Sequence, residues 1–554
     1  MTLPTPTRLS PRRLVALCGL ALLATAVGCD AGFEGQTAAN RAPDTELAIR
    51  DISLVDNFEG RPGLTSTVTV SWSGTDPDGY VAAFDIRFFS SDSLDFYDQA
   101  ANAERGWTRT ARRDTTVLLP IPAGQPAANV AFEVRAVDNE DAVDPEPART
   151  VFPIRNSPPT ATLSGIDLPP DTTWPVLSFE LGADDPDGFV DVTGLDVSFN
   201  DSTSFVRLPA ETEFVTFVAT EPGASESPAE VFLGRALVPT GITVPGLRLD
   251  AENVLFVRSA DRTDTTSTLL RYPDPDLDPD ASLYVKRVTS RVLLVNDYRS
   301  ATAATVLPFH RETLGGYVGA FDEWDLSSPS QDGSSVNTSY SDNIPTSADP
   351  TLGRTLQLWD YIYWVSKRAT NRVRGNNLPL AATVFDGFFD DGGRLFVNVP
   401  IDIPTDEATS GANAAISLLP TSNFVVPPVA TDEFRLTSSS RIEPVAQVPG
   451  TGRTLPPLRA ARLLREARPY EVGAGTVPLY RASFTLSSTG QVWTGSQVVA
   501  SIDEARRIAL LGLPLVRETT GTLDFVGAEA PEDPDAAAEA IQLMLQGLTF
   551  PGSN

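Results

Sequence analysis

The residues that usually carry acid–base, nucleophilic or metal chemistry are scarce in this chain. Its 554 residues include one histidine, His310, and two cysteines, Cys18 and Cys29. Beyond Cys29 there is no thiol for a disulfide, a thiolate zinc site or a cysteine nucleophile. The sequence also contains no G-x-S-x-G elbow, Walker loop or G-x-G-x-x-G after a predicted strand. We therefore predict a protein without enzymatic activity.

Carboxylates, in contrast, are abundant. Asp and Glu number 72 against 42 Lys and Arg, which gives a formal net charge of −30 and a sequence pI near 4.4. Such a surface repels nucleic acid, so we predict no nucleic-acid partner. A pair of carboxylates is enough for glycoside hydrolysis, but among so many acidic residues pairs arise by chance. A hydrolase that uses carboxylates of the C-terminal domain is therefore an alternative hypothesis.

Two D-P-D-G turns could supply oxygen ligands to calcium. The first contains Asp76 and Asp78, and the second contains Asp185 and Asp187. Calcium takes six or more oxygens, which neither turn provides. The alternative is a plain turn in which the glycine adopts a positive φ. Calcium binding at these positions is thus one hypothesis, and we predict no other cofactor or metal.

A second group of polar residues follows predicted buried strands of the C-terminal region. In open α/β sheets, ligands bind beyond the carboxyl ends of the strands, so these residues form a candidate ligand rim. The alternative is that they are caps and loop polar groups. The residues are Asn296, Asp297, Tyr298, Arg299, Ser366 and Asn398.

The N-terminus has the pattern of an export signal, with Arg8, Arg12 and Arg13 followed by an apolar run from 14 to 27. The sequence Ala26-Val27-Gly28-Cys29 resembles the lipobox of bacterial lipoproteins. The resemblance implies a signal peptide over 1–28 and acylation of Cys29, which would anchor the protein to a membrane. We predict a lipoprotein of the outer membrane, on its periplasmic side or at the cell surface. The alternative is an ordinary cleaved signal.

After a polar tether, 29–45, the sequence predicts two β-sandwich modules, 46–155 and 156–271. Short alternating strands are separated by turn residues, with no helical period between them. The pairs "SWSGTDPDGYV" with "ELGADDPDGFV", and "FEVRAVDN" with "LFVRSADR", form an internal repeat. These segments resemble the fibronectin type III-like and related Ig-like modules of bacterial surface proteins.

An Asp- and Pro-rich linker is predicted over 272–285, and a different pattern begins at 286. Continuous apolar runs such as "VLLVND" and "IALLGLPL" indicate strands buried on both faces, and "DPDAAAEAIQLMLQGL" predicts a helix. The alternation predicts an α/β three-layer domain with a mainly parallel sheet over 286–554. The irregular, β-rich segment at about 401–500 is interpreted as an insertion.

The runs "VLLVND", "LWDYIYWVS", "FFDDGGRLFVNV" and "IALLGLPL" resemble the class I glutamine amidotransferase-like, flavodoxin-like family. That family's nucleophilic cysteine is missing here, so the resemblance implies the fold without the activity. The sequence therefore predicts a non-catalytic, lipid-anchored envelope protein that binds a polymer or an envelope protein through this domain. A purely structural stalk or assembly factor is a further alternative.

Overall fold

A computed structural model describes residues 39–58, 61–118, 127–166, 168–186, 188–298, 303–326, 343–345, 348–367, 377–401, 417–429, 432–438, 440–529 and 533–552. The chain divides into two units, Met1–Ser157 and Pro158–Asn554. Within the described residues, no helix is both long and apolar enough to cross a membrane.

The first unit contains a seven-stranded β-sandwich. Strands β1, β2 and β5 pair antiparallel, and strands β7, β6, β3 and β4 form the other sheet, which β2 meets through one parallel pairing of Leu64 with Ile154. Ser91–Ser93 is a 3-10 turn and α1 spans Leu94–Tyr97. The strands are β1 Asp44–Phe58, β2 Arg61–Thr75, β3 Val81–Ser90, β4 Thr108–Thr110, β5 Asp114–Leu118, β6 Ala127–Asp138 and β7 Ala148–Arg155.

The core of this sandwich is aromatic. Trp72 packs against Phe84 and Phe132, with ring centroids 6.2 and 5.7 Å away, and its indole nitrogen donates to the carbonyl of Arg112. Burying an indole in this way removes a large apolar surface from water while satisfying its one polar group. The "STVTVSWS" segment is thus a core strand of the module.

A second sandwich opens the second unit and repeats the strand order of the first. One sheet has the order β15-β14-β13-β10-β8, and the other has the order β12-β11-β17-β18. Strands β8, β10 and β13 correspond in pairing to β1, β2 and β5, and the hairpin β14–β15 is an addition. The strands are β8 Thr160–Leu163, β9 Thr172–Thr173, β10 Val176–Asp184, β11 Val192–Phe199, β12 Val206–Leu208, β13 Phe214–Ala219, β14 Glu226–Leu233, β15 Val238–Arg248, β16 Ala251–Glu252, β17 Leu255–Asp261, β18 Leu270–Tyr272 and β19 Tyr284–Val285.

The segment 272–285, predicted as a linker, belongs to this sandwich at both ends. Tyr272, Leu283 and Val285 are buried in its core. Strand β19 pairs with β16 and with β9 in a small third sheet. The Asp- and Pro-rich stretch between them is therefore a surface loop of the second module.

The rest of the second unit is built on a twelve-stranded mixed sheet. The order β21-β20-β22-β23-β32-β31-β29-β26-β27-β33 forms its main path, β28 joins at β31, and β24 pairs with β28. Strands β25 and β30 form a separate pair. The strands are β20 Val292–Asp297, β21 Asp322–Asp325, β22 Tyr361–Ser366, β23 Arg394–Asn398, β24 Asn423–Phe424, β25 Phe434–Arg435, β26 Arg441–Pro444, β27 Leu458–Ala460, β28 Tyr470–Glu471, β29 Thr476–Ala482, β30 Thr485–Leu486, β31 Val498–Asp503, β32 Ile508–Leu511 and β33 Phe525–Gly527.

The described part of this mixed-sheet domain contains five helices. Two are longer than two turns, and they pack on one face of the sheet. Three single-turn helices lie on the other face. The helices are α2 Ala303–Val318, α3 Gly353–Leu356, α4 Leu378–Ala381, α5 Asp386–Asp390 and α6 Ala536–Gly547, with a π-helical turn at Ala348–Leu352.

The prediction of an α/β three-layer domain with a mainly parallel sheet is wrong. The chain is mostly β, with 41% strand and 13% helix. Strands β21, β20, β22, β23 and β32 are parallel neighbours, but from β31 onward the sheet continues antiparallel. The segment 401–500, interpreted as an insertion, supplies that antiparallel half. It therefore completes the sheet.

Candidate functional site

All five of the predicted rim residues that the structure describes are buried, and four of them lie at the ends of strands. Asn296, Asp297, Ser366 and Asn398 are each at most 4% exposed. Asn296 donates to Asp325 at 2.7 Å, and Asn398 donates to the carbonyls of Leu511 and Leu513. The amides of Asn296 and Asn398 connect neighbouring strand ends. They therefore have the structural role that was the alternative to ligand binding for the predicted rim.

Asp297 is the most enclosed of the four. Its carboxylate accepts hydrogen bonds from the backbone N–H groups of Asn377 and Leu378, from the Asn377 amide and from the indole of Trp364. A buried carboxylate needs this number of donors because unpaired burial of a charge is costly. Asp297 therefore pins the start of α4 to the end of β20.

A cavity of about 630 Å³ lies beyond the carboxyl ends of the parallel strands. Tyr298, Lys367, Pro400 and Pro514, which line it, follow β20, β22, β23 and β32. The remaining lining comes from the segment 462–468 and from 516–524. We call this cavity the basic cleft because, among its described lining residues, five side chains are cationic and three are acidic. The cations are Lys367, Arg462, Arg465, Arg468 and Arg517, and the acids are Glu466, Glu518 and Asp524.

Asp524 organises one wall of the basic cleft. Its fully buried carboxylate binds Arg462 through two hydrogen bonds, of 2.7 and 2.8 Å, and accepts a third from Nε of Arg517 at 3.3 Å. The hydrogen bond with Asp524 raises the pKa of the Arg462 guanidinium. Asp524 is itself fixed between segments, since its N–H donates to Leu515 and its carbonyl accepts from Ala461.

Lys367 and Tyr298 meet at a second carboxylate. Glu518 accepts from the Lys367 ammonium at 2.8 Å and from the Tyr298 hydroxyl at 2.8 Å. Arg517 and Glu518 stand in a tight hairpin that the bridge between Val516 and Leu523 closes. The hairpin turns at Gly521, whose φ of +72° suits glycine.

Two arginines of the basic cleft keep donors for a ligand. Within the described residues, the terminal nitrogens of Arg517 make no hydrogen bond, and its side chain is 34% exposed. The Arg465 side chain likewise donates no hydrogen bond to the described part of the chain and lies 3.6 Å from Glu433. Guanidinium groups of this kind bind carboxylate or phosphate in a bidentate manner.

The first D-P-D-G turn is held by hydrogen bonds within the turn and to residues outside it. Asp76 accepts from the N–H of Asp78, Asp78 accepts from the N–H of Arg41, and Asn139 accepts from the N–H of Tyr80. Asp185 is buried. Over the residues that the structure describes, no group of three or more His, Cys, Asp or Glu side chains could hold a metal ion. Calcium binding stays a prediction at these turns.

His310 lies in the core of the mixed-sheet domain, away from the strand-end rim. Its Nδ1 is 2.8 Å from the Tyr363 hydroxyl, and burial lowers the pKa of the imidazole to about 3. A neutral, enclosed histidine of this kind is a packing residue.

Three predicted residues, Cys29, Arg299 and Asp187, lie outside the described residues. Among the rim residues, Tyr298 lines the basic cleft, but the sequence analysis missed all five cations. Strand-end reasoning could have found Lys367, which directly follows β22. The arginines come from loops far along the chain, and no sequence spacing signals their convergence.

No protein-family model matches this chain, and neither does any curated protein. Among solved structures, it is similar to the fibronectin(III)-like modules of Clostridium thermocellum CbhA, at 12% identity, with 40% of this chain and 85% of that chain covered and a TM-score of 0.15. It is also similar to the FN1–FN3 domains of chicken CNTN1, at 12% identity, 44% and 67% coverage and a TM-score of 0.16. A third is a 1.5-MDa bacterial ice-binding adhesin, at 10% identity, 48% and 74% coverage and a TM-score of 0.16.

These neighbours are fibronectin III-like or adhesin structures, and this chain is mostly β-sheet. TM-scores this low carry no argument about function. None of the comparisons supports a lipoprotein or a glutamine amidotransferase-like domain. The glutamine amidotransferase-like resemblance also implied an α/β fold, which the mixed sheet contradicts. That resemblance is therefore set aside.

Proposed function

We propose that this chain is a non-catalytic, lipid-anchored protein of the cell envelope that binds a partner in the basic cleft of its mixed-sheet domain. The observation that carries the proposal is the concentration of five cations among the described residues of one cavity, in a chain whose formal charge is −30. The convergence of these cations in a cavity of ligand size, beyond the ends of the parallel strands, favours a binding site.

Binding is favoured over catalysis by the state of two of the three described carboxylates of the cleft. Asp524 is engaged by two arginines, and Glu518 by Lys367 and Tyr298. A glycosidase needs one carboxyl group that can donate a proton and a second that is placed across the scissile bond. Asp524 and Glu518 already bind cations, so they are suited to positioning those cations rather than to transferring a proton.

The second sandwich supports the cleft-bearing domain mechanically. The Trp174 ring packs edge to face on Trp359, with centroids 4.6 Å apart, and Ser178 bonds Thr351 at 2.6 Å. Lys286 places its ammonium 4.3 Å from the Trp174 ring and donates to the carbonyl of Glu323. The sandwich and the mixed-sheet domain therefore form one unit. A sandwich that holds the cleft-bearing domain in a fixed position would need such contacts. The anchor itself is proposed from the lipobox resemblance at Cys29.

The proposal is tested by retention on cell envelopes. The full chain carrying Cys29→Ser, which removes the anchor, is mixed with isolated envelopes of the source cell and sedimented. We expect retention of this protein and loss of retention when Arg465→Gln and Arg517→Gln are added. The matched control adds Arg507→Gln, because Arg507 pairs with Asp503 at 3.4 Å outside the cleft.

Equal retention of the cleft variant and the control would contradict the proposal. Release of soluble fragments from the envelopes, abolished by Glu466→Gln, would instead favour the hydrolase. Glu466 is the carboxylate of the cleft that no cation-bearing side chain hydrogen-bonds within the described residues.

A further inference from the structure

The Arg517 guanidinium of the basic cleft is oriented before a ligand arrives. Asp524 holds Nε of Arg517 at 3.3 Å, which leaves the two terminal nitrogens of that guanidinium free among the described residues. Because the carboxylate that orients Arg517 is fully buried and also bound by Arg462, the guanidinium loses little freedom on binding. Preorganised donors of this type bind an oxyanion more tightly than flexible ones.

The charge of the cleft is opposite to that of the chain. The five cationic and three acidic side chains of the described lining sum to +2, whereas the whole chain carries −30. The local excess attracts an anion at short range. At longer range the acidic surface repels a polymer that carries negative charge along its whole length.

The size of the cleft limits the ligand further. A cavity of about 630 Å³ is in the range of pockets for small ligands, about 300–1,000 Å³. A stable protein–protein interface buries roughly 800 Å² on each partner and is much flatter. The prolines Pro400 and Pro514 and the side chain of Val516 add an apolar wall beside the cations.

We infer that the basic cleft binds a compact ligand through an oxyanion, a carboxylate or phosphate group that Arg517 and Arg465 bind, rather than an extended polyanion or a protein surface. The inference rests on the proposed function, since it names the ligand class of the same cleft. A carboxylate would come from an acidic sugar or a chain terminus, and a phosphate from a free or esterified phosphate.

The test is calorimetric titration of the full chain carrying Cys29→Ser with four probes. Glucuronate and citrate represent carboxylates, pyrophosphate represents phosphates, and polygalacturonate represents an extended polyanion. We expect at least one compact probe to bind with one site per chain. Arg517→Gln should weaken that binding by about tenfold or more, as expected for loss of hydrogen bonds to a charged group. Arg507→Gln should change it by less than about twofold.

Circular dichroism and the melting temperature establish that each variant is folded, and Arg465→Gln provides a second cleft variant if Arg517→Gln is not. Binding of polygalacturonate alone would overturn the inference. So would equal binding of a compact probe to the cleft variants and the control. Cleft-dependent retention on envelopes without binding of any compact probe would leave the proposed function standing and overturn this inference. Cleft-dependent binding of a compact probe without retention on envelopes would contradict the envelope function and leave the ligand class standing.

Discussion

Asp138 and Asp261 make the same hydrogen bonds at the same place in the two sandwiches. Each ends a strand, and each accepts through Oδ1 from the N–H groups two and four residues further along, at 2.8 to 2.9 Å. The third residue of each turn, Asp141 or Asp264, has a positive φ of 66° or 63°. The repeated "V-R-x-x-D" signal is therefore a folding element, because its aspartate fixes the hairpin that follows the strand.

The first prediction concerns this aspartate. Asp261→Ala should lower the free energy of unfolding of the second unit by about 2–3 kcal/mol, because a buried carboxylate loses its bonds to two backbone N–H groups. Urea unfolding followed by tryptophan fluorescence measures the loss. Glu211→Ala, an exposed change in the same sandwich, serves as the control and should have little effect. A loss no larger than that of the control would show that the turn forms without the aspartate.

How far the sequence predicts this fold depends on the length of each strand. In β20, Val292 and Leu294 face one core and Leu293 and Val295 face the other, so a continuous apolar run indicates the strand. In the antiparallel half, strands such as β26 and β27 have four and three residues. Runs this short carry no readable period, and the segment therefore resembles an irregular insertion.

The residues of the candidate site are only partly predictable from the sequence. Strand ends are readable from the sequence, and Tyr298 and Lys367 follow from them. Arg462 and Arg517 come together because Asp524 binds both. Such convergence depends on tertiary contacts between loops, which no local pattern records.

The second prediction tests the junction within the second unit. Trp174→Ala should destabilise this unit by about 3–5 kcal/mol, because a fully buried indole leaves a cavity and Lys286 loses its aromatic contact. Differential scanning calorimetry of the full chain should show the transition of this unit lowered or split in two. Val238→Ala, at a side chain 58% exposed, should leave the transition in place. An unchanged transition in Trp174→Ala would mean that the junction contributes little.

The third prediction tests the wall of the basic cleft. Asp524→Asn should reduce the free energy of unfolding by about 3 kcal/mol, because Arg462 and Arg517 lose the buried charge that pairs them. Thermal and urea unfolding measure this loss. Asp360→Asn breaks the pair with Arg291, both half-exposed or more, and should cost less than about 1 kcal/mol. Equal costs for the two variants would show that Asp524 does not organise the cleft.

The fourth prediction tests the anchor. Peptide mass spectrometry of the protein from membranes should find an N-terminal peptide that begins at Cys29 and carries acyl chains. The Cys29→Ser protein should lack the acyl mass, and its mixed-sheet domain should fold as before. A membrane protein whose N-terminal peptide carries no acyl mass would contradict the lipobox interpretation and favour an ordinary signal peptide.

The last prediction follows from His310. Its pKa in the folded protein is about 3, below its ordinary value of 6.5, so protonation favours the unfolded state. The contribution of neutral His310 to the free energy of unfolding is complete above pH 6.5. It is lost as the pH falls from 6.5 toward 3. Between pH 7.5 and 5, the titration of His310 lowers the free energy of unfolding by about 2 kcal/mol, at a slope of at most about 1.4 kcal/mol per pH unit. His310→Gln does not titrate and can still bond Tyr363. We therefore expect its free energy of unfolding to fall less than that of the wild type over this interval, since the carboxylates titrate alike in both proteins. Parallel stability curves would mean that the pKa of His310 in the folded protein is close to its ordinary value.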